Sequence, residues 1–330
     1  MKATPLSILD FATIFNNERP GMSFSRSVEL AQRAEELDFH RIWYAEHHNI
    51  PSISSSAPAL LIAHVGAHTS RIRLGAGGVM LPNHSPYTVA EQFGTLAEMY
   101  GDRIDLGLGR APGTDQNTLG KALRRAPHAA DSFPQDVIEL QKYLADESII
   151  AGVRAIPGAG THVPLYILGS STFGAALAAQ LGLPYSFASH FAPAQLEEAV
   201  TLYRKNFQPS PTLAKPYVIA AVNVTTADTN EDAFAQHTEN QRRWVRNMLV
   251  RQGQRISDTQ LNHVMQTYQA RQVLDMMRYT AVGTGERVWQ YLTDFSHTAQ
   301  ADELMISLRA PSWQQTMRGL EILAHAREQD

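Results

Sequence analysis

Short apolar runs alternate with amphipathic helical patterns along this chain, and no other feature limits its fold so tightly. The strand-like runs are Leu6–Phe11, Arg41–Ala45, a glycine-rich stretch beginning at Gly75, Arg103–Gly109, Val163–Leu168, Pro184–Ala188, Tyr217–Val224 and Glu303–Leu308. Helical periods fill the gaps, for example Val28, Ala31, Ala34 and Leu37 on one face after a cap at Ser23 or Ser25, supported by Glu29 and Arg33 at i,i+4. Strands that alternate with helices call for a parallel sheet, because parallel neighbours need a crossover long enough to hold a helix. A closed barrel and an open doubly wound sheet both satisfy this. Eight strands, without a Gly-x-Gly-x-x-Gly turn after the first, favour an α/β fold with a single (β/α)8 TIM barrel over residues 1–330. One segment breaks the rhythm: Asp228–Tyr279 is polar, helical in propensity and too long for one crossover, and its middle, residues 251–257, has no core-facing pattern.

Composition removes several function classes. At 44% hydrophobic and 18% charged residues the chain is globular rather than disordered. A net charge of −4 argues against a nucleic-acid-binding surface, which would be basic and clustered. With no cysteine there is no disulfide, thiolate metal site or cysteine nucleophile. The first ten residues have no long apolar core before Asp10, so a signal peptide is not expected, and no run approaches the length of a membrane span. The expectation is a cytoplasmic protein.

The candidate chemistry lies where strands end. Gly75-Ala-Gly-Gly-Val-Met-Leu-Pro-Asn-His-Ser-Pro86 holds three glycines in four residues, and glycine inside a strand loses entropy and packs nothing. Either a bulge or barrel corner, or the close approach of a backbone or flat ligand, explains them. Glu46-His47-His48 follows the second strand, and adjacent residues face opposite ways, so only one histidine can readily enter a pocket. A metal would need a third ligand, and a general acid/base or a structural histidine are the competing roles. Gly169-Ser-Ser-Thr172 joins a strand to a helix N-terminus, which suits a phosphate or a simple cap. Arg110 closes a glycine-flanked strand, where an anion, a carbonyl-rich ring or a loop salt bridge would suit it. It opens a loop to Ala130 with no apolar period and a basic Arg124-Arg125 pair. Taken together, a flat ring over Gly77-Gly78, Arg110 beside it and a phosphate at Ser170-Ser171 have the shape of flavin mononucleotide.

Ala45-Glu-His-His48, Gly75–Pro86, Asp102–Arg110 and Leu168-Gly-Ser-Ser171 resemble the bacterial luciferase-like flavin monooxygenases. Ala178–Pro184 and Ala301–Met305 extend the likeness, which covers nearly the whole chain and is weakest over 228–280. Among those proteins it is nearest to uncharacterised single-chain bacterial members. The resemblance implies a barrel that binds reduced FMN at its C-terminal mouth and uses O2 to oxygenate an unknown small organic substrate through a flavin C4a-peroxide. A separate NAD(P)H:flavin reductase would supply the reduced cofactor, and the protein would be a homodimer. By the same resemblance Gly77-Gly78, preceded by Ala76, matches the family's non-proline cis peptide beneath the isoalloxazine. Arg110 and Gly109 lie at the flavin, with Ser170, Ser171 and the Gly174 amide near the phosphate. Glu46 matches a buried acid near the ring, His47 a proposed acid/base, and residues 228–280 the excursion that carries a mobile lid. The sequence departs from luciferase at Gly109, where a reactive cysteine stands, and at Ser170, where a phosphate-site acid stands. The alternatives are an FMN- or F420-dependent oxidoreductase without oxygen insertion, and a flavin-binding protein without catalysis.

Overall fold

Strands buried on both faces read as unbroken apolar runs, and those runs form the wall of a closed barrel. The computed structural model describes residues 4–15, 18–146, 149–250, 254 and 256–329. In chain order its elements are β1 (Leu6–Asp10), α1 (Pro20–Glu36), β2 (Arg41–Tyr44), α2 (Pro58–Gly66), β3 (Arg73–Met80), α3 (Pro86–Tyr100) and β4 (Ile104–Gly109). Then come α4 (Phe133–Leu144), β5 (Leu165–Gly169), α5 (Thr172–Leu181), β6 (Tyr185–Phe187), α6 (Leu196–Asn206) and β7 (Val218–Thr226). The chain closes with α7 (Asn230–Leu249), α8 (Asp258–Met265), α9 (Tyr268–Asp275), β8 (Thr280–Gly283), α10 (Gly285–Thr298), β9 (Glu303–Leu308) and α11 (Trp313–Glu328).

Strands β1 to β7 pair in sequence, and β9 joins β7 to β1, so eight parallel strands close the (β/α)8 barrel. The ninth, β8, was not expected. It exists because β6 is only three residues and pairs Val218–Ala220, leaving the far edge of the nine-residue β7 open; β8 takes Asn223–Thr226 there. Its four residues, Thr-Ala-Val-Gly, carry too little apolar signal to announce a strand.

Other local expectations need correction. Helix α1 begins at Pro20, three residues before Ser23, and no side chain caps it; proline at the start has a preset φ and lacks the amide a cap would serve. Ser23 instead donates to the Pro20 carbonyl inside the first turn. Arg33 pairs with Glu36 and Glu321 rather than Glu29, whose carboxylate accepts from the Trp313 indole. Residues 147–162, whose sequence reads as a surface excursion before β5, are partly anchored: Ala155 is fully buried, and a Cβ on Gly94 of α3 would come within 2.0 Å of the Gly158 Cα. The polar segment after β7 folds as α7, α8 and α9, with a small core of Val245, Ala270 and Val273 of its own. Its patternless middle lies mainly outside the described residues.

Inside the barrel two layers set the floor of the mouth. The lower is polar. Arg41 donates to Asp105 at 2.7 Å, to the Tyr166 hydroxyl at 2.7 Å and to Glu303 at 3.1 Å, while Arg73 reaches Asp105 at 2.6 Å. The upper is apolar, formed by Leu9, Trp43, Tyr166, Ile219, Ala221 and Met305. Trp43 ties them together, its indole donating to Asp105 at 3.2 Å.

Candidate active site

A cavity of about 770 Å³ opens above this floor at the C-terminal ends of the strands. Leu9, Trp43, Ala221, Met305 and the backbone of Gly77 form its base. The glycines of β3 now separate by cause. A Cβ on Gly75 would lie 2.7 Å from Trp43 and Asp105, and one on Gly78 would lie 2.7 Å from the Gly107 carbonyl, so both are small for neighbours within the barrel. Gly77 alone of the three lines the cavity, although a Cβ there would also come within 3.0 Å of Leu9 and Trp43. The Gly77–Gly78 bond is cis, and the pairing of β3 with β4 shifts register between Ala76 and Val79.

Beyond β2 the side chains alternate as period two requires. His47 enters the cavity, with its ring 5.7 Å from that of Phe11 and its Nδ1 buried without a partner. Burial pulls its pKa down to about 4; nearby Glu46 opposes this, and His48 and Arg309 add to it. At neutral pH it is uncharged.

Glu46 and His48 turn the other way. The Glu46 carboxylate meets Nε2 of His48 at 2.9 Å and Nε2 of His84 at 2.8 Å, and it accepts from the Met80 amide at 3.0 Å. Burial alone would raise its pKa, but these hydrogen bonds and the pull of His84 hold it at about 2. Among the described residues no group of three or more histidines, cysteines or acids is arranged to hold a metal ion.

On the opposite wall, β5 runs into α5 through Gly169, Ser170 and Ser171. Ser171 is the N-cap residue but makes no capping bond, so no side chain serves the first-turn amides up to Gly174. Arg110 stands beside them, its guanidinium 4.3 Å from the Phe173 ring centroid and its Nε donating to the Ala130 carbonyl. Arg125 also lines the cavity, and burial together with the nearby Arg110 charge lowers its pKa.

The cavity thus gathers His47, Gly77, Gly109, Arg110, Ser170, Ser171 and Gly174 on its walls, and it does not gather Ala76, Gly78 or Glu46. Ala76 is buried in the outer core. Two groups near the cavity, His190 and Arg309, carry no sequence signal of their own, and Arg125 stands out only as half of a basic loop pair. Arg125 comes from the loop after β4. His190, beyond β6, is buried; burial, Arg309 and His47 pull its pKa down to about 3. Arg309, beyond β9, is lowered to about 10 by burial alone and stays charged at neutral pH. Each stands just past a barrel strand or in a strand-end loop, which is the one signal that could have found them.

The luciferase-like monooxygenase family model matches residues 5–302, and the chain belongs to that family. A luciferase-like monooxygenase of Escherichia coli is 41% identical over 99% of this chain and 98% of its own. The uncharacterised YvbT of Bacillus subtilis is 44% identical over 98% and 96%. Among solved structures, apo-MsnO8 superposes with a TM-score of 0.86 at 32% identity, covering 99% of both chains. More distant barrels show the fold alone. They include the FMN complex of a 3,6-diketocamphane monooxygenase component from Pseudomonas putida and an F420-dependent secondary alcohol dehydrogenase, at 14% and 15% identity. Such neighbours hold FMN or F420. No helix among the described residues is long and apolar enough to cross a membrane.

Proposed function

We propose that the protein is an FMN-dependent monooxygenase, with reduced FMN held in the large cavity and a small organic substrate oxidised above it. One observation carries this reading. A backbone floor at Gly77 shares a single cavity with an uncapped helix N-terminus flanked by two arginines. The residues fit the cofactor. The free amides of α5, the Ser170 and Ser171 hydroxyls, Arg110 and Arg125 would hold the phosphate, since a helix N-terminus favours an anion and guanidinium groups strengthen it. Gly77 and Gly109 would leave room for the ring; a Cβ at Gly109 would meet the Met80 sulfur at 2.9 Å.

Bound reduced FMN supplies the two electrons that activate O2, and the protein's own groups do the rest. Neutral His47 moves a proton through its imidazole ring, of which, among the described residues, neither nitrogen has a hydrogen-bond partner. Glu46 does not reach the cavity and acts as a positioning residue, fixing the Met80 end of β3 through its amide. The helices of 228–280 line the small cavity under α7 rather than the large one, so they would exclude water from the flavin site only by moving over it. A separate NAD(P)H:flavin reductase delivers the cofactor. Exposed Leu60 and Met99, on α2 and α3, support a homodimer face there.

Replacing Arg110 and Arg125 with alanine should weaken reduced-FMN binding about tenfold to a hundredfold each, the worth of a charge-assisted hydrogen bond of roughly 1.5–3 kcal/mol. Anaerobic fluorescence titration reads this, and unchanged affinity in the double variant would remove the phosphate assignment.

A further inference from the structure

Arg309 stands one residue beyond β9, half-buried beneath α7. Its guanidinium lies between two rings, 5.0 Å from the Phe11 centroid and 5.6 Å from that of Trp244. Its Nε donates to Asn223 Oδ1 at 2.9 Å, and the buried Asn223 is itself committed through Nδ2 to the His190 carbonyl. Among the described residues neither terminal amino group has a hydrogen-bond partner, and no carboxylate lies within ion-pairing distance. Asp10 lines the same small cavity, but its carboxylate is engaged by Ser27 and the Ala12 amide.

A half-buried guanidinium without a counter-ion keeps its terminal nitrogens free to take an anion. The aromatic faces on either side leave the planar donor edge open. That edge borders a cavity of about 140 Å³ under α7. Leu9 and Phe11 line both this cavity and the large one, so the two cavities adjoin at these residues. The His47 and His190 rings lie 5.7 and 6.3 Å from that of Phe11.

We propose that Arg309 binds the carboxylate of the substrate, which is therefore an organic acid with an apolar body. The apolar part lies in the large cavity against Phe11, and the carboxylate reaches past that ring to the guanidinium. A single planar fork suits a monoanionic carboxylate with two oxygens, whereas the phosphate-type site across the large cavity has two arginines and a helix terminus. This inference rests on the reading that the large cavity is the flavin site.

Hexanoate and hexanamide, matched in length and differing in charge, test it by calorimetric titration at pH 7.5 with and without FMN. The protein should bind hexanoate at least tenfold more tightly than hexanamide. Arg309→Gln should abolish that preference with FMN affinity unchanged, and Arg309→Lys should keep part of it. A purely structural clamp between Phe11 and Trp244 would not discriminate by ligand charge. Hexanoate with no advantage in the wild-type protein, including binding of neither probe, overturns the proposal, as does a preference that survives Arg309→Gln. The wild-type comparison decides alone if the glutamine variant does not fold. Loss of FMN binding with the preference intact would remove the flavin reading and leave Arg309 as an acid site.

Discussion

His47→Ala is expected to lower turnover by roughly a hundredfold to ten-thousandfold, the range of a positioned general acid or base. Reduced-FMN affinity should stay at the wild-type level, because the proposed phosphate site lies on the opposite wall, at α5 and the arginines. The pH dependence is informative as well. A histidine in water titrates near 6.5, whereas burial holds His47 at about 4, so it remains neutral down to that range. Wild-type kcat should therefore show no inflection from His47 between about pH 5.5 and 8. Steady-state rates across that range check both points. Normal turnover in the alanine variant would remove His47 from the chemistry, and an inflection near 6.5 absent from that variant would show that the ring is more solvated than its surroundings imply.

Arg41→Ala should be the most destabilising single change in the barrel. It leaves Asp105 and Glu303, both fully buried, facing each other's charge without the cation that now binds them. Breaking a buried pair from one side costs about 3–5 kcal/mol, because the remaining charge is neither solvated nor paired. Arg73 still reaches Asp105, so Glu303 bears most of the loss, with only the Ser7 and Tyr217 hydroxyls as donors. Lysine at position 41 should recover part of the stability, since one ammonium cannot reach both acids and the Tyr166 hydroxyl. Denaturant midpoints at a common pH measure this series. An alanine variant within 1 kcal/mol of wild type, on the order of a surface change, would mean that the network is solvated.

Much of the fold was legible because barrel strands are buried on both faces and leave long apolar signatures. Tyr217–Val224 and Glu303–Leu308 stood out for that reason. Strand β8 did not, since it depends on the mismatch in length between β6 and β7 rather than on its own residues. At the site, the rule that adjacent residues face opposite ways correctly anticipated that one of His47 and His48 would enter the cavity. The fate of Glu46 follows from the same rule but was hidden by its family role. The glycines of β3 carried two causes at once, and only their neighbours separate them. His190 and Arg309 were illegible for a different reason: each is a lone residue whose meaning comes from what packs against it at large sequence separation.

The oxygen reaction of the bound cofactor tests the central claim most directly. Protein titrated anaerobically with photoreduced FMN would be mixed with oxygenated buffer in a stopped-flow spectrometer. The expected result is a transient whose absorbance matches neither reduced nor oxidised flavin and which outlives its counterpart in free FMN. Tight binding followed by direct reoxidation without a transient, or no binding of reduced FMN at all, would contradict a monooxygenase.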